Sequence, residues 1–185
     1  MMSLWLCSAS PRRRELLERL GVRCSVSPAH IDESRQDGEP PVSYAKRMAR
    51  EKAEACARPG RVVLAADTIV VVGDEVLGKP TDRSDAERML RKLSGIEHRV
   101  ITAVCVPPRL RAVETSVRFA TLSDAQVRWL AASGDGDDKA GAYAAQGLAG
   151  AFIERIDGSF TNVVGLPMTE TLQMLEEAGV EVPWT

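Results

Sequence analysis

Three consecutive arginines, Arg12-Arg13-Arg14, stand just after Ser10 and Pro11. Serine then proline reads as the N-cap and first turn of a helix. The N-terminus of a helix already carries unpaired N–H groups and partial positive charge, so cations there cost stability unless an anion offsets them. With Ser8 and Ser10 on the same turn, the segment offers hydroxyls, backbone amides and guanidiniums, the ingredients of a phosphate cradle. A solvated basic helix face is the alternative reading of the same charge run. The second candidate is Asp67, a lone carboxylate inside the apolar stretch LAADTIVVV. Burying it is costly unless it faces a cleft, a metal or cations. A carboxylate at a strand end, followed by the hydroxyl of Thr68, can hold a divalent metal or take a proton from water; the plainer alternative is a turn residue capping Thr68. Lys52 and Lys79 add two cations. Cations outnumbering carboxylates suit a triphosphate, with charge neutralisation as the main catalytic contribution.

Other patterns fail on their chemistry. Gly73 to Lys79 spells G-x-x-x-x-G-K, but Pro80 replaces the hydroxyl that a P-loop needs on its metal, and two acids lie where phosphates would sit. In SGDGDDKAG, the position that needs a bidentate glutamate for calcium holds Gln146. No GxSxG elbow accompanies His30 or His98. The four cysteines, Cys7, Cys24, Cys56 and Cys105, show no zinc-ligand spacing and read as reduced thiols, mostly in the core.

The elements that must position these residues alternate along the chain. A strand over Leu4–Cys7 feeds the arginine helix, whose buried stripe is Leu16, Leu17 and Leu20 and whose stop is Gly21. A strand over Val22–Val26 precedes a charged, proline-rich loop, Asp32–Pro41, the least structured stretch of the first half. Ser43 caps the next helix, where Ala45, Met48, Ala49 and Ala53 form a small-residue face shared by Lys52. Two buried runs, Val62–Ala66 and Ile69–Val72, flank Asp67-Thr68, and Gly73-Asp74 turns the chain into Val76-Leu77. Ser84 and Glu87 form a capping box for a helix ending at Gly95. Strands follow at Val100–Val106 and Ala112–Thr121 around the turn Pro107-Pro108, then a helix opened by Ser123 and Gln126 and a flexible glycine-rich loop, Gly134–Gly150. Ala151–Ile156 and Phe160–Val164 complete the strands, and a helix over Met168–Ala178 ends at Gly179. The pattern is a mixed α/β fold, expected as a single domain over 1–185.

Composition narrows the classes. Apolar residues make up 44%, charged residues 27% and aromatics 4% of 185 residues, the profile of a globular chain. The net charge of −2 and the sparse rings argue against a duplex binder or a single-strand stacking module. The N-terminal stretch has no signal-peptide pattern and no apolar run of membrane-spanning length occurs. A cytoplasmic protein with no membrane or nucleic-acid partner is the expectation.

Five ordered blocks carry a resemblance that runs nearly end to end: LCSASPRRRELLERLG, YAKRMAREKA, AADTIVVVGDEVLGKP, SGIEHRVIT and DKAGAYAAQGLAGAFIERIDGSFTNVVGLPM. With these the chain resembles the Maf family of nucleoside triphosphate pyrophosphatases, first known as septum-formation-inhibitor proteins. The resemblance implies a mixed-sheet, two-lobed α/β fold akin to the inosine triphosphate pyrophosphatases, with a central cleft and assembly as a homodimer. It implies hydrolysis between the α- and β-phosphates to a nucleoside monophosphate and pyrophosphate, aided by a divalent metal cation, Mg²⁺ or Mn²⁺.

Carried over by position, the resemblance makes Asp67 the proton acceptor and Ser8, Arg13, Lys52 and Lys79 the phosphate-holding residues. Asp67, Glu33 and Asp138 become candidates for metal contact. Arg12, Thr68 and Gln146 fall where family members sort by base, in a combination similar to the branch acting on dTTP and UTP; the 7-methyl-GTP branch typically carries tryptophan, glutamine and glutamate instead. Gln146 offers both a donor and an acceptor to a pyrimidine edge. Cys7 departs from the family's usual alanine, Ser159-Phe160 from Asp-Tyr, and Met168 from leucine. The alternatives to a dTTP/UTP enzyme are a 7-methyl-GTP pyrophosphatase and a nucleotide-binding regulator of septum formation whose hydrolysis is incidental.

Overall fold

Two compact units share the chain in the computed structural model, which describes residues 3–184. The first takes the chain as far as Thr68, then Thr102–Val113, and resumes at Gly165; the second comprises Ile69–Ile101 and Glu114–Val164. Both have strands and helices, and together the strands form a mixed sheet in the order β2-β1-β3-β5-β6-β7, with β4 paired to β3. These strands are β1 (Ser3–Leu6), β2 (Ser25–Val26), β3 (Arg61–Val72), β4 (Glu75–Leu77), β5 (Glu97–Val106), β6 (Arg109–Phe119) and β7 (Ile153–Asp157). The architecture is the α/β class expected from the alternating pattern. Among the described residues no helix is long and apolar enough to cross a membrane.

In the first unit β1 lies parallel to both β2 and β3, with Leu6 opposite Val26 on one side and Leu64 on the other. Helix α1 (Pro11–Arg19) starts at its proline as expected, but Ser10 at the N-cap makes no side-chain cap; the Ser8 hydroxyl instead accepts from the Ser10 N–H at 3.2 Å. Of the expected stripe only Leu17 is buried, and Leu20 is 38% exposed, because the helix is short and meets the core along one narrow line. Helix α2 (Pro41–Cys56) begins two residues before Ser43: Pro40 occupies the N-cap and Pro41 the first turn, where a missing N–H costs nothing. Its buried face carries Ala45, Met48, Ala49, Lys52 and Ala53, so the lysine does share the small-residue side. The core here gathers Leu4, Leu6, Leu17, Leu64, Val104, Met174 and Leu175, the last two from the C-terminal helix α6 (Met168–Glu177).

The two runs flanking Asp67-Thr68 are one uninterrupted strand. Every residue of β3 except Arg61, Thr68 and Val72 is buried, so Asp67 is held in regular extended backbone and the turn-residue alternative is overturned. Beyond it, in the second unit, Gly73 (φ +59°) turns β3 into β4, with Val70 opposite Leu77. That hairpin uses the glycine as punctuation and leaves no phosphate loop. Helix α3 (Arg83–Leu93) is capped by Asp82, whose carboxylate accepts from the Asp85 N–H at 2.8 Å; the expected Ser84 box loses because Asp82, two residues earlier, already caps the free amides. Helix α4 (Asp124–Ser133) has both halves of its Ser123–Gln126 capping box. Residues 160–164, expected as a strand, form a short helix α5 (Phe160–Val164). There the Ser159 hydroxyl accepts from the Asn162 N–H at 3.2 Å, and the buried Asn162 amide donates to the Val100 carbonyl at 3.0 Å and to Thr115 Oγ1 at 2.9 Å. Phe119, Leu77, Leu90, Leu93, Val117 and Tyr143 belong to the second core.

Candidate active site

Lysine on a face of alanines can approach a neighbouring strand closely, and Lys52 does so. Its Nζ donates to Asp67 Oδ1 at 2.7 Å and to Glu33 Oε2 at 2.9 Å. Lys52 and Asp67 are 9% and 7% exposed; Glu33, on the loop ahead of α2, is half exposed. Burying a charge is tolerable only when it is paired and hydrogen-bonded, and the ion pair answers the question raised by a carboxylate in an apolar strand. An ammonium has three N–H donors. Two of those of Lys52 end on carboxylates.

Arg13 engages the residues on either side of Asp67 in β3. Its Nε donates to the Gly165 carbonyl at 2.8 Å, Nη1 to Ser8 Oγ at 3.0 Å and the Ala66 carbonyl at 2.8 Å, and Nη2 to Thr68 Oγ1 at 3.0 Å. Thr68 Oγ1 also lies 2.9 Å from Thr102 Oγ1. Burial pulls the Arg13 pKa below its ordinary value, and the Asp67 charge works in the opposite direction. Gly165 has φ +129°, a backbone that favours glycine, and so brings its carbonyl to the guanidinium. The arginine run therefore divides by role. Arg13 turns inward, Arg12 is partly buried, and Arg14 is exposed and pairs with Glu18 at 3.4 Å, the solvated face that was the alternative reading.

The first unit thus brings together Ser8, Arg13, Lys52, Asp67, Thr68 and, through Lys52, Glu33. Lys79, Asp138 and Gln146 belong to the second unit and are exposed there. Asp138 pairs with Lys139 at 2.6 Å. The loop over 134–150, expected to be flexible, is cross-linked within itself: the Asp135 carboxylate accepts from the Leu148 N–H at 3.0 Å, and Lys139 Nζ donates to the Asp135 carbonyl. At Gly136 an added Cβ would lie 2.0 Å from the Ala142 carbonyl oxygen, so this close approach admits only glycine. Among the described residues no group of three or more His, Cys, Asp or Glu side chains could by itself hold a metal ion.

Sequence reasoning missed Thr102, Gly165, Tyr44 and Arg47. Thr102 was visible as a lone hydroxyl within the apolar run VITAVCV. The contacts of Gly165 are made by its backbone, and Tyr44 and Arg47 act on a neighbouring loop, so residue type and spacing carried no signal for them.

A buried acid shared with a lysine, beside hydroxyls fixed by a buried guanidinium, is an α/β site equipped for proton transfer next to an oxyanion. Comparison with known proteins then specifies the family: residues 3–178 match the model described as Maf-like protein, and the chain belongs to that family. It is 54% identical to the dTTP/UTP pyrophosphatase of Anaeromyxobacter dehalogenans (strain 2CP-1 / ATCC BAA-258), over 98% of this chain and 96% of that protein. It is 50% identical to the dTTP/UTP pyrophosphatase of Myxococcus xanthus (strain DK1622), over 98% and 95%. Identity with the protein of the same name from Shewanella oneidensis is 49%, over 97% and 100%.

Proposed function

We infer that this protein is a nucleoside triphosphate pyrophosphatase that takes dTTP and UTP and releases the nucleoside monophosphate and pyrophosphate. The observation that carries the reading is the buried Asp67 carboxylate, held 2.7 Å from Lys52 Nζ in a chain whose relatives of about half-identical sequence bear that enzyme's name. Asp67 orients a water molecule and accepts its proton as the water attacks the α-phosphorus. Lys52 keeps the carboxylate in place and offers its remaining N–H to phosphate oxygen. Arg13, with its fork committed to Ser8, Ala66, Thr68 and Gly165, contributes positive charge from beneath and fixes the Ser8 and Thr68 hydroxyls that face the ligand. Such preorganised charge costs no rearrangement at the moment of reaction.

Asp67 and Glu33 supply two hard oxygen donors bound to one lysine, a set that fits Mg²⁺ or Mn²⁺ when phosphate oxygens and waters complete the coordination and fits a full protein cage poorly. When bound, the cation neutralises phosphate charge and makes a nearby water more acidic. Asp138 as a further metal contact, Lys79 as a phosphate contact, and Arg12, Thr68 and Gln146 as the base-reading residues are parts of the same proposal, as are action of the chain as one domain, homodimer assembly and a cytoplasmic location with the nucleotide pool.

Product analysis tests the reaction. Incubated with dTTP and Mg²⁺, the enzyme should yield dTMP and pyrophosphate; dTDP and orthophosphate would reject attack at the α-phosphorus. Asp67→Asn should lower kcat by about 10²–10⁴, the usual contribution of a general base, while retaining nucleotide binding. In a nucleotide panel, a clear preference for 7-methyl-GTP over dTTP and UTP would overturn the base assignment.

A further inference from the structure

Glu33 stands on the loop expected to be the least ordered of the first half, and α2 fastens that loop from several points. Tyr44 Oη donates to the Glu33 backbone carbonyl at 2.6 Å. Arg47 Nη2 donates to the Ser34 carbonyl at 3.0 Å, and the Arg47 fork takes both Glu39 carboxylate oxygens, at 2.8 Å from Nε and 2.7 Å from Nη2. The Arg47 guanidinium also lies 5.6 Å from the centre of the Tyr44 ring. Tyr44, Met48 and Lys52 are spaced by four, which puts them on one face of the helix. The same face therefore holds the Glu33 backbone through Tyr44 and its carboxylate through Lys52. A half-exposed glutamate can swing away from a lysine by rotating its own side chain, so its aim depends on a fixed backbone.

We propose that Tyr44 is a positioning residue: by donating its phenolic hydrogen to the Glu33 carbonyl it fixes the backbone from which Glu33 reaches Lys52, and so sets how well Glu33 can serve a divalent cation beside Asp67. This rests on the metal-binding role given to Glu33 above. Burial first, then the negative charges of Asp67 and Glu33, hold the Tyr44 pKa above its ordinary value, so the phenol remains a donor throughout the neutral range.

Tyr44→Phe removes this one donor and keeps the ring. With Mn²⁺ alone as the probe, followed by electron paramagnetic resonance, the variant's dissociation constant should rise about five- to tenfold, the factor a single hydrogen bond is worth. Amide exchange across residues 31–39 should quicken by a similar factor, with β1 and β3 unchanged. The Mg²⁺ concentration for half-maximal activity should rise by more than kcat falls. Arg47→Gln, which frees the loop at Ser34 and Glu39, should reproduce the loss and supplies the test if the phenylalanine variant folds poorly. In a Glu33→Gln background, Tyr44→Phe should add nothing further to the Mn²⁺ constant, because both act on one contact. Unchanged Mn²⁺ affinity, whether or not the loop loosens, overturns the proposal, as does a full effect persisting without the Glu33 carboxylate. Failure of the wild type to make monophosphate and pyrophosphate would instead refute the enzymatic reading, and the Mn²⁺ and exchange data would still decide the part played by Tyr44.

Discussion

Arg13 shows how far one side chain can be committed. Its planar fork meets two carbonyls and two hydroxyls contributed by the turn before α1, by β3 and by Gly165. A lysine has a point charge and no fork, so it cannot satisfy acceptors arranged around a plane. Arg13→Lys should therefore lower unfolding free energy by about 3 kcal/mol, the cost of leaving buried acceptors without donors, measured by urea denaturation; a change within error would show that the network carries little weight. The presence of a basic cluster and of an acid in need of cations could be read from residue type alone. Which of Arg12, Arg13 and Arg14 turns inward could not, because the three are adjacent in sequence and only the fold sets the direction of each around the helix.

At the scale of elements, successes and errors have separate physical origins. The capped helix α4 and the strand β6 followed from local pattern, where one reading satisfied propensity. The division of β3 failed because a polar pair was taken to interrupt an apolar run, whereas Lys52 and Arg13, from distant segments, stabilise Asp67 and Thr68 inside the strand. Phe160–Val164 looked like a strand because its apolar residues suit one, and the helix is set instead by the Ser159 cap and the buried Asn162 amide. His98, on β5, gives an element a measurable pH response. It is buried with Nε2 2.8 Å from the Tyr143 hydroxyl, and burial lowers its pKa to about 4. The folded imidazole stays neutral down to that pH while the unfolded one protonates near 6.5, so the unfolded chain takes up a proton first and stability falls as pH drops through this window. The loss should reach about 3 kcal/mol by pH 4. His98→Gln, compared with the wild type by urea midpoints at pH 7, 5.5 and 4, should lack this part of the acid slope; identical slopes would remove His98 as its source.

For the whole molecule, the informative fact is where the chain leaves one unit for the other: within β3 after Thr68, within β5 after Ile101, within β6 after Val113, and after Val164. Three of the four passages fall inside a continuous strand, whose backbone cannot melt on one side of the boundary without fraying on the other. Trp5 and Trp184 lie in the first unit and Trp129 in the second, so a variant with Trp5 as its sole tryptophan and one with Trp129 as its sole tryptophan should report the same urea midpoint, the signature of a single cooperative transition; separated midpoints would show that each unit unfolds by itself. The same interleaving restricts how such a gene can be recombined. No single crossover can exchange one unit for a cousin's and leave the other whole, since any cut in the coding sequence between the first and last passages divides at least one of them. Exchanging either unit whole would take a crossover at each of the four passages.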